Sequence, residues 1–155
     1  METGVIREGQ ERQEGLSKRI GSLFGCEAPD LRTYSPLALA FVGDGVYDLV
    51  IRTAVVSRAN AGADRLHKAK SRVVKASAQA AQAEALLPDL TPEELAVYRR
   101  GRNAHSHSVA KNASVGDYRR ATGLEALCGY LYLSGQEERL LDLIKTGLER
   151  TGEWI

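Results

Sequence analysis

The sequence is short of cysteine and of long apolar runs. Its two cysteines, Cys26 and Cys128, lie far apart and form no C-x-x-C pair, which argues against both a zinc knuckle and a disulfide framework. We expect both to be reduced packing residues. The longest apolar run, residues 37–42, is far too short to cross a bilayer, and the opening residues lack the pattern of a secretory signal. We therefore expect a soluble, cytoplasmic protein with no membrane partner.

Signals for β-strands are also missing, because no segment alternates apolar and polar residues or carries a hairpin turn pair. Helix signals are frequent instead. Pro36 opens an apolar segment that reaches Ile51 and is long enough for a buried helix. A capping box at Thr91 and Glu94 predicts a short helix that Gly101 ends. Further helices are predicted around residues 16–24 and over residues 64–87, 114–133 and 137–148. The predicted fold class is therefore all-α.

The composition is that of one globular domain, with 155 residues of which 43% are apolar and 26% charged. Residues 1–32 are polar and contain several glycines. We therefore expect a lightly structured N-terminal extension over residues 1–32 and a single folded domain over residues 33–155.

The net charge of +1 gives little reason to expect a nucleic-acid partner, but the positive charge is concentrated. Residues 58–75 carry six Lys or Arg against one acid, and residues 91–120 carry six against three. Such segregation can place positive potential on one face of a neutral protein. The first group gives a helical stripe of Arg65, Lys68, Arg72 and Lys75. The second gives a basic segment around a predicted loop, with Arg99, Arg100, Arg102, Asn103 and Lys111. Both groups are candidates for phosphate contacts; the alternatives are a solvated helix face and a plain surface loop.

Two carboxylates stand inside otherwise apolar helical segments. Asp44 lies between Gly43 and Gly45, and each glycine costs a helix interior about 1 kcal/mol relative to alanine. Close approach of another helix or of a ligand would offset that cost. Glu125 occupies a similar position in the segment 122–133. Together the two would form a hard oxygen site suited to Mg²⁺ and to phosphodiester hydrolysis. The alternative is a tight helix crossing in which Asp44 is merely hydrogen-bonded, and Asp48 is expected to be a lone exposed carboxylate.

Two sequence motifs resemble those of the ribonuclease III family. The run LAFVGDGV at residues 39–46 resembles the signature L-E-F-L-G-D-x-V, and LEALCG at residues 124–129 resembles the second motif, F-E-A-L-I-G. We expect no double-stranded RNA-binding domain after these motifs. Together with RRGRNA at residues 99–104 and KN at residues 111–112, this is similar to the Mini-ribonuclease III branch. The resemblance covers roughly residues 35–144.

The resemblance implies that Asp44 and Glu125 are catalytic metal ligands, for Mg²⁺ or for Mn²⁺ as its substitute. Larger members of the family carry two further glutamates and an aspartate where this chain has Leu37, Ala40 and Thr122. The full carboxylate set of the larger enzymes is therefore not present, as in the Mini-ribonuclease III branch. We expect a more hydrated and more weakly held ion.

The resemblance also implies a ribonuclease III helical fold that acts as a homodimer, with the glycine-flanked helix around Asp44 as the dimer contact. The implied substrate is double-stranded RNA, cut to leave 5′-phosphate and 3′-hydroxyl ends. The implied role is maturation of both ends of the 23S rRNA precursor in the bacterial cytoplasm, with a ribosomal protein or the pre-ribosome as a further candidate partner. Two alternatives remain: a catalytically inactive relative that binds RNA in ribosome assembly, and a helical protein-interaction module.

Overall fold

The computed structural model describes residues 14–28, 30–104 and 114–153, and every regular element within these ranges is helical. Short 3-10 turns occupy Leu31–Thr33 and Leu87–Asp89. The α-helices of the described residues are α1 (Leu16–Leu23), α2 (Pro36–Arg58), α3 (Ala63–Val74), α4 (Ala76–Leu86), α5 (Pro92–Asn103), α6 (Val115–Leu133) and α7 (Glu137–Arg150). The predicted all-α class is confirmed. None of these helices combines the length and the hydropathy that a membrane span needs.

Local capping residues set the ends of the long helices. The Ser35 hydroxyl accepts a hydrogen bond from the Ala38 N–H and starts α2, and the Ser114 hydroxyl accepts one from the Asp117 N–H and starts α6. Gly135 follows the end of α6 with a φ of +75°, a conformation that glycine adopts without strain. The start of α2 at Pro36 and the bounds of α6 agree with the sequence prediction.

The predicted capping box at the start of α5 is present and also joins two helices. The Thr91 hydroxyl accepts from the Glu94 N–H at 3.1 Å, and Glu94 accepts from the Thr91 N–H at 2.9 Å. The buried Glu94 carboxylate also receives two hydrogen bonds from Arg139 of α7, at 2.8 and 2.9 Å. These bonds from Arg139 are the main reason why the pKa of Glu94 lies below its usual value.

Helix α6 lies at the centre of the fold and packs against α2, α4, α5 and α7. It buries side chains around most of its circumference, as expected for a helix that is apolar on all sides. The largest cluster of the core joins Leu127 and Leu131 of α6 to Tyr47 and Ile51 of α2 and to Leu86 of α4. The two motif-bearing helices are therefore direct neighbours.

Glycines bring the backbones of α2 and α6 into contact. A Cβ atom built on Gly43 would lie only 1.6 Å from the carbonyl oxygen of Glu125, and one built on Gly129 would lie 2.0 Å from the carbonyl oxygen of Leu39. The expectation that Gly43 accommodates a close helix crossing is confirmed. Gly45 differs, because a Cβ at that position would meet no atom within 4 Å.

The single helix predicted over residues 64–87 is wrong, because the chain breaks at Lys75, whose ψ of 152° is extended. In an unbroken helix the Val73 carbonyl would accept from the backbone four residues later. Here it accepts instead from the Gln82 side chain at 3.2 Å, and the Tyr47 hydroxyl lies 3.4 Å away. The break lets α4 turn inward and bury Gln79 and Gln82. Gln79 therefore does not extend the basic stripe.

Two other expectations also need correction. Gly101 does not end α5, which continues to Asn103; it is buried, and a Cβ there would lie 2.7 Å from the Ala126 Cβ of α6. This glycine serves close packing and not helix termination. Cys128 is buried as expected, whereas Cys26 is exposed and is no packing residue. The division of the chain at residue 32 stays a prediction.

We predict that Gly43→Ala lowers the free energy of unfolding by about 3 kcal/mol or more, because the added methyl group would meet backbone atoms that cannot move aside alone. The matched control is Gly45→Ala in the same helix, which should stay within about 1 kcal/mol of the wild type. Urea unfolding of dilute protein, followed by circular dichroism, measures both values. Equal losses in the two variants would contradict the packing of α2 on α6.

Candidate functional site

The contact between α2 and α6 brings the side chains of Asp44 and Glu125 together. Each residue lies next to or within the close crossing, since Asp44 follows Gly43 and the Glu125 carbonyl is the atom that Gly43 accommodates. The two carboxyl groups lie close enough for Asp44 to act on the pKa of Glu125. Asp44 is exposed and Glu125 is half-buried, so the carboxyl pair opens to solvent at one edge.

Burial, followed by the hydrogen bond and the negative charge of Asp44, raises the pKa of Glu125 to about 9. Without a cation, Glu125 therefore favours its protonated form at neutral pH. A divalent cation can take the place of that proton, because carboxylate oxygens are the hard ligands that Mg²⁺ prefers. The donor chemistry of the pair thus fits such an ion.

The pair has no third partner of the usual metal-binding types among the residues that the structure describes. Ala40 is buried, and Leu37 lies at the surface with an apolar side chain. The Thr122 hydroxyl is buried and donates to the Tyr118 carbonyl at 2.9 Å within its own helix. Leu37, Ala40 and Thr122 therefore offer no carboxylate oxygen to the pair.

Asp48, which lies one turn after Asp44, belongs to a separate ion-pair group. Its carboxylate accepts from Arg52 of the same helix at 2.6 Å, and the Lys70 ammonium of α3 lies 3.4 Å away. The expectation of a lone exposed carboxylate is wrong, because folding brings Lys70 from another helix. The negative charge of Asp48 is thus balanced by the Arg52 and Lys70 side chains.

A buried polar group beside the site was missed by the sequence reasoning. Tyr47 lies on α2 close to Asp44, and its hydroxyl donates to Gln82 of α4 inside the core. Burial is the main cause that raises the pKa of Tyr47, so the phenol stays neutral and acts as a fixed donor. The only sequence signal was a pair of glutamines in an alanine-rich stretch. Cys128, also close by, has its pKa raised to about 12 mainly by burial, which excludes a thiolate nucleophile.

The helix break at Lys75 leaves three residues of the basic stripe together on α3. Arg65, Lys68 and Arg72 are exposed on α3, and Lys75 is exposed at the junction of α3 and α4. The Arg72 guanidinium also lies 3.7 Å from the Glu153 carboxylate. Arg65, Lys68 and Arg72 recur at helical spacing and therefore share one side of α3.

The second basic group lies on the last turns of α5, so the expectation that Arg102 and Asn103 belong to a loop is wrong. Arg99, Arg100 and Asn103 are exposed, and Lys111 lies outside the described residues. The Arg102 guanidinium stands over the Tyr98 ring, 5.9 Å from its centroid.

Helix α6 links this basic end to the carboxyl pair. A Cβ at Gly101 would lie 3.2 Å from the Thr122 carbonyl and 2.7 Å from the Ala126 Cβ, which shows how closely α5 approaches. Glu125 projects from the same segment of α6 toward Asp44. One helical turn of α6 therefore separates the docking point of the basic end from the carboxyl pair.

Comparison with known proteins agrees with this arrangement. Residues 37–136 match the family described as Ribonuclease III domain. The chain is 50% identical to Mini-ribonuclease 3 of Brevibacillus brevis over 111 residues, which cover 72% of this chain and 83% of the relative. It is 46% identical to Mini-ribonuclease 3 of Enterococcus faecalis over 126 residues, which cover 80% and 96% respectively. A crystal structure of a Fusobacterium nucleatum protein is similar with a TM-score of 0.71 at 30% identity, covering 81% of this chain and 98% of that one.

We predict that, in the presence of a chelator, Glu125→Gln raises the free energy of unfolding at pH 8 by about 1 kcal/mol or more. Folding raises the pKa of Glu125 from 4.5 to about 9. Between pH 4.5 and pH 9 the folded chain therefore holds one more proton than the unfolded chain. The free energy of unfolding of the wild type consequently falls as the pH rises through this range. The glutamine variant lacks this loss. Urea unfolding at pH 5 and pH 8 measures it, with Glu138→Gln, an exposed acid of α7, as control. Parallel pH profiles for wild type and Glu125→Gln would refute the prediction.

Proposed function

This chain belongs to the ribonuclease III family, in its Mini-ribonuclease 3 branch, and we propose that it cuts double-stranded RNA with Asp44 and Glu125 as its catalytic carboxylates. Because it belongs to this family, the chain is an endoribonuclease. The observation that carries the assignment of the site is the close crossing at Gly43, which brings the carboxyl groups of Asp44 and Glu125 together from separate motifs and separate helices.

Asp44 and Glu125 would hold Mg²⁺, or Mn²⁺ in its place. When bound, the ion supplies an activated water and offsets the charge on the phosphate oxygens. Asp44 contributes the solvent-exposed oxygens that face the substrate, while the half-buried Glu125 fixes the inner edge of the site. Hydrolysis leaves 5′-phosphate and 3′-hydroxyl ends. Because only two carboxylates are available among the described residues, we expect the ion to be weakly held and strongly hydrated.

The two basic groups would bind the RNA backbone. A-form RNA presents phosphates and 2′-hydroxyls rather than readable base edges, so exposed cations suit it. Arg99, Arg100, Arg102 and Asn103 lie on the helix end that docks beside the carboxyl-bearing turn of α6, and Lys111 extends the same stretch of sequence. Arg65, Lys68, Arg72 and Lys75 provide a second set of contacts along the duplex.

The active form would be a homodimer. Helix α2 exposes a line of apolar side chains that one chain leaves uncovered, namely Leu37 (39% exposed), Phe41 (83%), Leu49 (57%) and Val56 (45%). Gly45 lies on the same side with open space above it. A second copy that packs against this surface about a two-fold axis would bury the apolar line of each chain in one interface. Asp44 borders the surface, so two sites would lie near one interface and each would cut one strand.

The biological substrate we propose is the precursor of the 23S rRNA, matured at both ends in the cytoplasm, with a ribosomal protein or the pre-ribosome as a further partner. The relatives named Mini-ribonuclease 3 support a ribonuclease role, and the rRNA substrate is what the resemblance to that branch implies. One observation favours a second candidate: the absence of a third acid among the described residues suits an inactive relative that only binds RNA in ribosome assembly.

Cleavage of a labelled double-stranded fragment of precursor rRNA separates the two candidates. We expect Mg²⁺-dependent cutting that chelator abolishes and that falls about 100-fold or more in Asp44→Asn and in Glu125→Gln, because each variant removes one ligand charge. Asp48→Asn is the matched control, since Asp48 lies on the same helix but pairs with Arg52 and Lys70; it should retain most of the activity.

Tight duplex binding without any cutting by the wild type would assign the chain to the second candidate. Equal losses in Asp44→Asn and Asp48→Asn would move the catalytic centre away from the carboxyl pair.

We also predict that Arg99→Ala reduces the salt dependence of duplex binding. Each phosphate contact that is lost should lower the slope of log K against log salt by about one unit. Binding is measured in an Asp44→Asn background over a series of KCl concentrations. Lys145→Ala, an exposed cation on α7, is the control and should keep the wild-type slope. An unchanged slope in Arg99→Ala would remove this residue from the RNA contact.

A further inference from the structure

Helix α1 lies before the residues that match the family, and its apolar side chains are left uncovered. Along its length Leu16, Ile20 and Leu23 recur at helical spacing, with exposures of 40%, 42% and 84%, and Phe24 follows with 78%. The helix buries no residue. A helix of eight residues is marginal in water unless it packs against something.

The start of α1 is fixed to the folded domain. The Leu16 N–H donates to the Glu137 carboxylate at 3.2 Å, and the Ser17 hydroxyl donates to the Tyr132 carbonyl at 3.0 Å. These bonds tie the start of α1 to the junction between α6 and α7. The apolar stripe of α1, Leu16, Ile20, Leu23 and Phe24, is therefore held at a defined place on the surface.

An apolar groove of about 410 Å³ connects this stripe to α2. Leu16 forms one wall of the groove and Leu141 of α7 forms another, while Gly45 and Leu49 of α2 lie between them. Leu16 thus belongs both to the groove and to the stripe. The apolar surface of α2 and that of α1 are consequently continuous.

We propose that α1 is part of the homodimer interface, and that the α2 surface of a second copy packs in the groove between α1 and α7 and against the α1 stripe. This inference rests on the homodimer of the proposed function. The occupant is a second copy because the groove continues the α2 surface assigned to the dimer. The same chain also supplies a bulky apolar side chain, Phe41, for a groove that glycine leaves open at Gly45. The extension thereby adds a contact that the family domain alone lacks.

The first test replaces the last two residues of the stripe, Leu23 and Phe24, with serine. In Leu23→Ser/Phe24→Ser we expect the dimer dissociation constant, measured by analytical ultracentrifugation, to rise about tenfold or more. Both side chains are largely exposed in one chain, so the monomer should keep its circular dichroism spectrum. Val115→Ser is the matched control, because Val115 is an exposed apolar residue (54%) at the start of α6. Its dissociation constant should equal that of the wild type.

The second test follows amide hydrogen exchange of residues 16–23. In the wild type at concentrations that favour the dimer, these amides should be protected, and in Leu49→Asp, which places a charge on the α2 surface, protection should be lost. Amides of α6 should stay protected in both proteins, which shows that the variant folds.

The outcomes distinguish this inference from the dimer itself. A wild type that is monomeric while it cuts RNA would overturn both. A dimer whose dissociation constant is unchanged in Leu23→Ser/Phe24→Ser, or equally raised in Val115→Ser, would overturn the role of α1 alone. Protection of residues 16–23 that persists in a monomeric Leu49→Asp would do the same, since α1 would then be stable without a second copy.

Discussion

The backbone contact between α2 and α6 is the constraint on which the rest of the structure depends. Two glycines, Gly43 and Gly129, each make room for a carbonyl group of the opposite helix. Each glycine costs a helix about 1 kcal/mol in propensity, and this cost is offset only where the helices touch. At a larger separation, short side chains such as those of Asp44 and Glu125 could not lie close together. The carboxyl pair is thus a consequence of the crossing, and any side chain at Gly43 would act on fold and site together.

Helix α6 extends this constraint to the rest of the site. On one side its Gly129 contacts α2, and on another Gly123 and Ala126 pack against α5, where a Cβ at Gly101 would lie 2.7 Å from the Ala126 Cβ. Small residues on two sides of one helix fix the spacing of three helices. The basic end of α5 therefore has little freedom to move relative to Glu125. A phosphate-binding group and an acidic pair can then act on one backbone segment without a flexible loop between them.

Local signals made much of this fold predictable, whereas tertiary contacts explain the errors. Ser35, Thr91 and Ser114 start helices through hydrogen bonds within a few residues, so the sequence shows them directly. The break at Lys75 depends on Gln82 and Tyr47, which reach the Val73 carbonyl from other helices. Gly101 was ambiguous because glycine both ends helices and permits close packing. Asp44 and Glu125 stood out as acids in apolar segments, but spacing alone could not place them together; that expectation came from the resemblance.

Helix α2 carries both a residue of the candidate site and an exposed apolar surface. Gly43 and Tyr47 face inward, Asp44 stands at the edge, and Phe41 and Leu49 face outward. A helix with one apolar side facing its own core and another facing solvent is unfavourable in a monomer, because the outer side gains nothing from folding. In the proposed dimer, association would bury this outer side next to Asp44, and activity should therefore follow the dimer population rather than the monomer population.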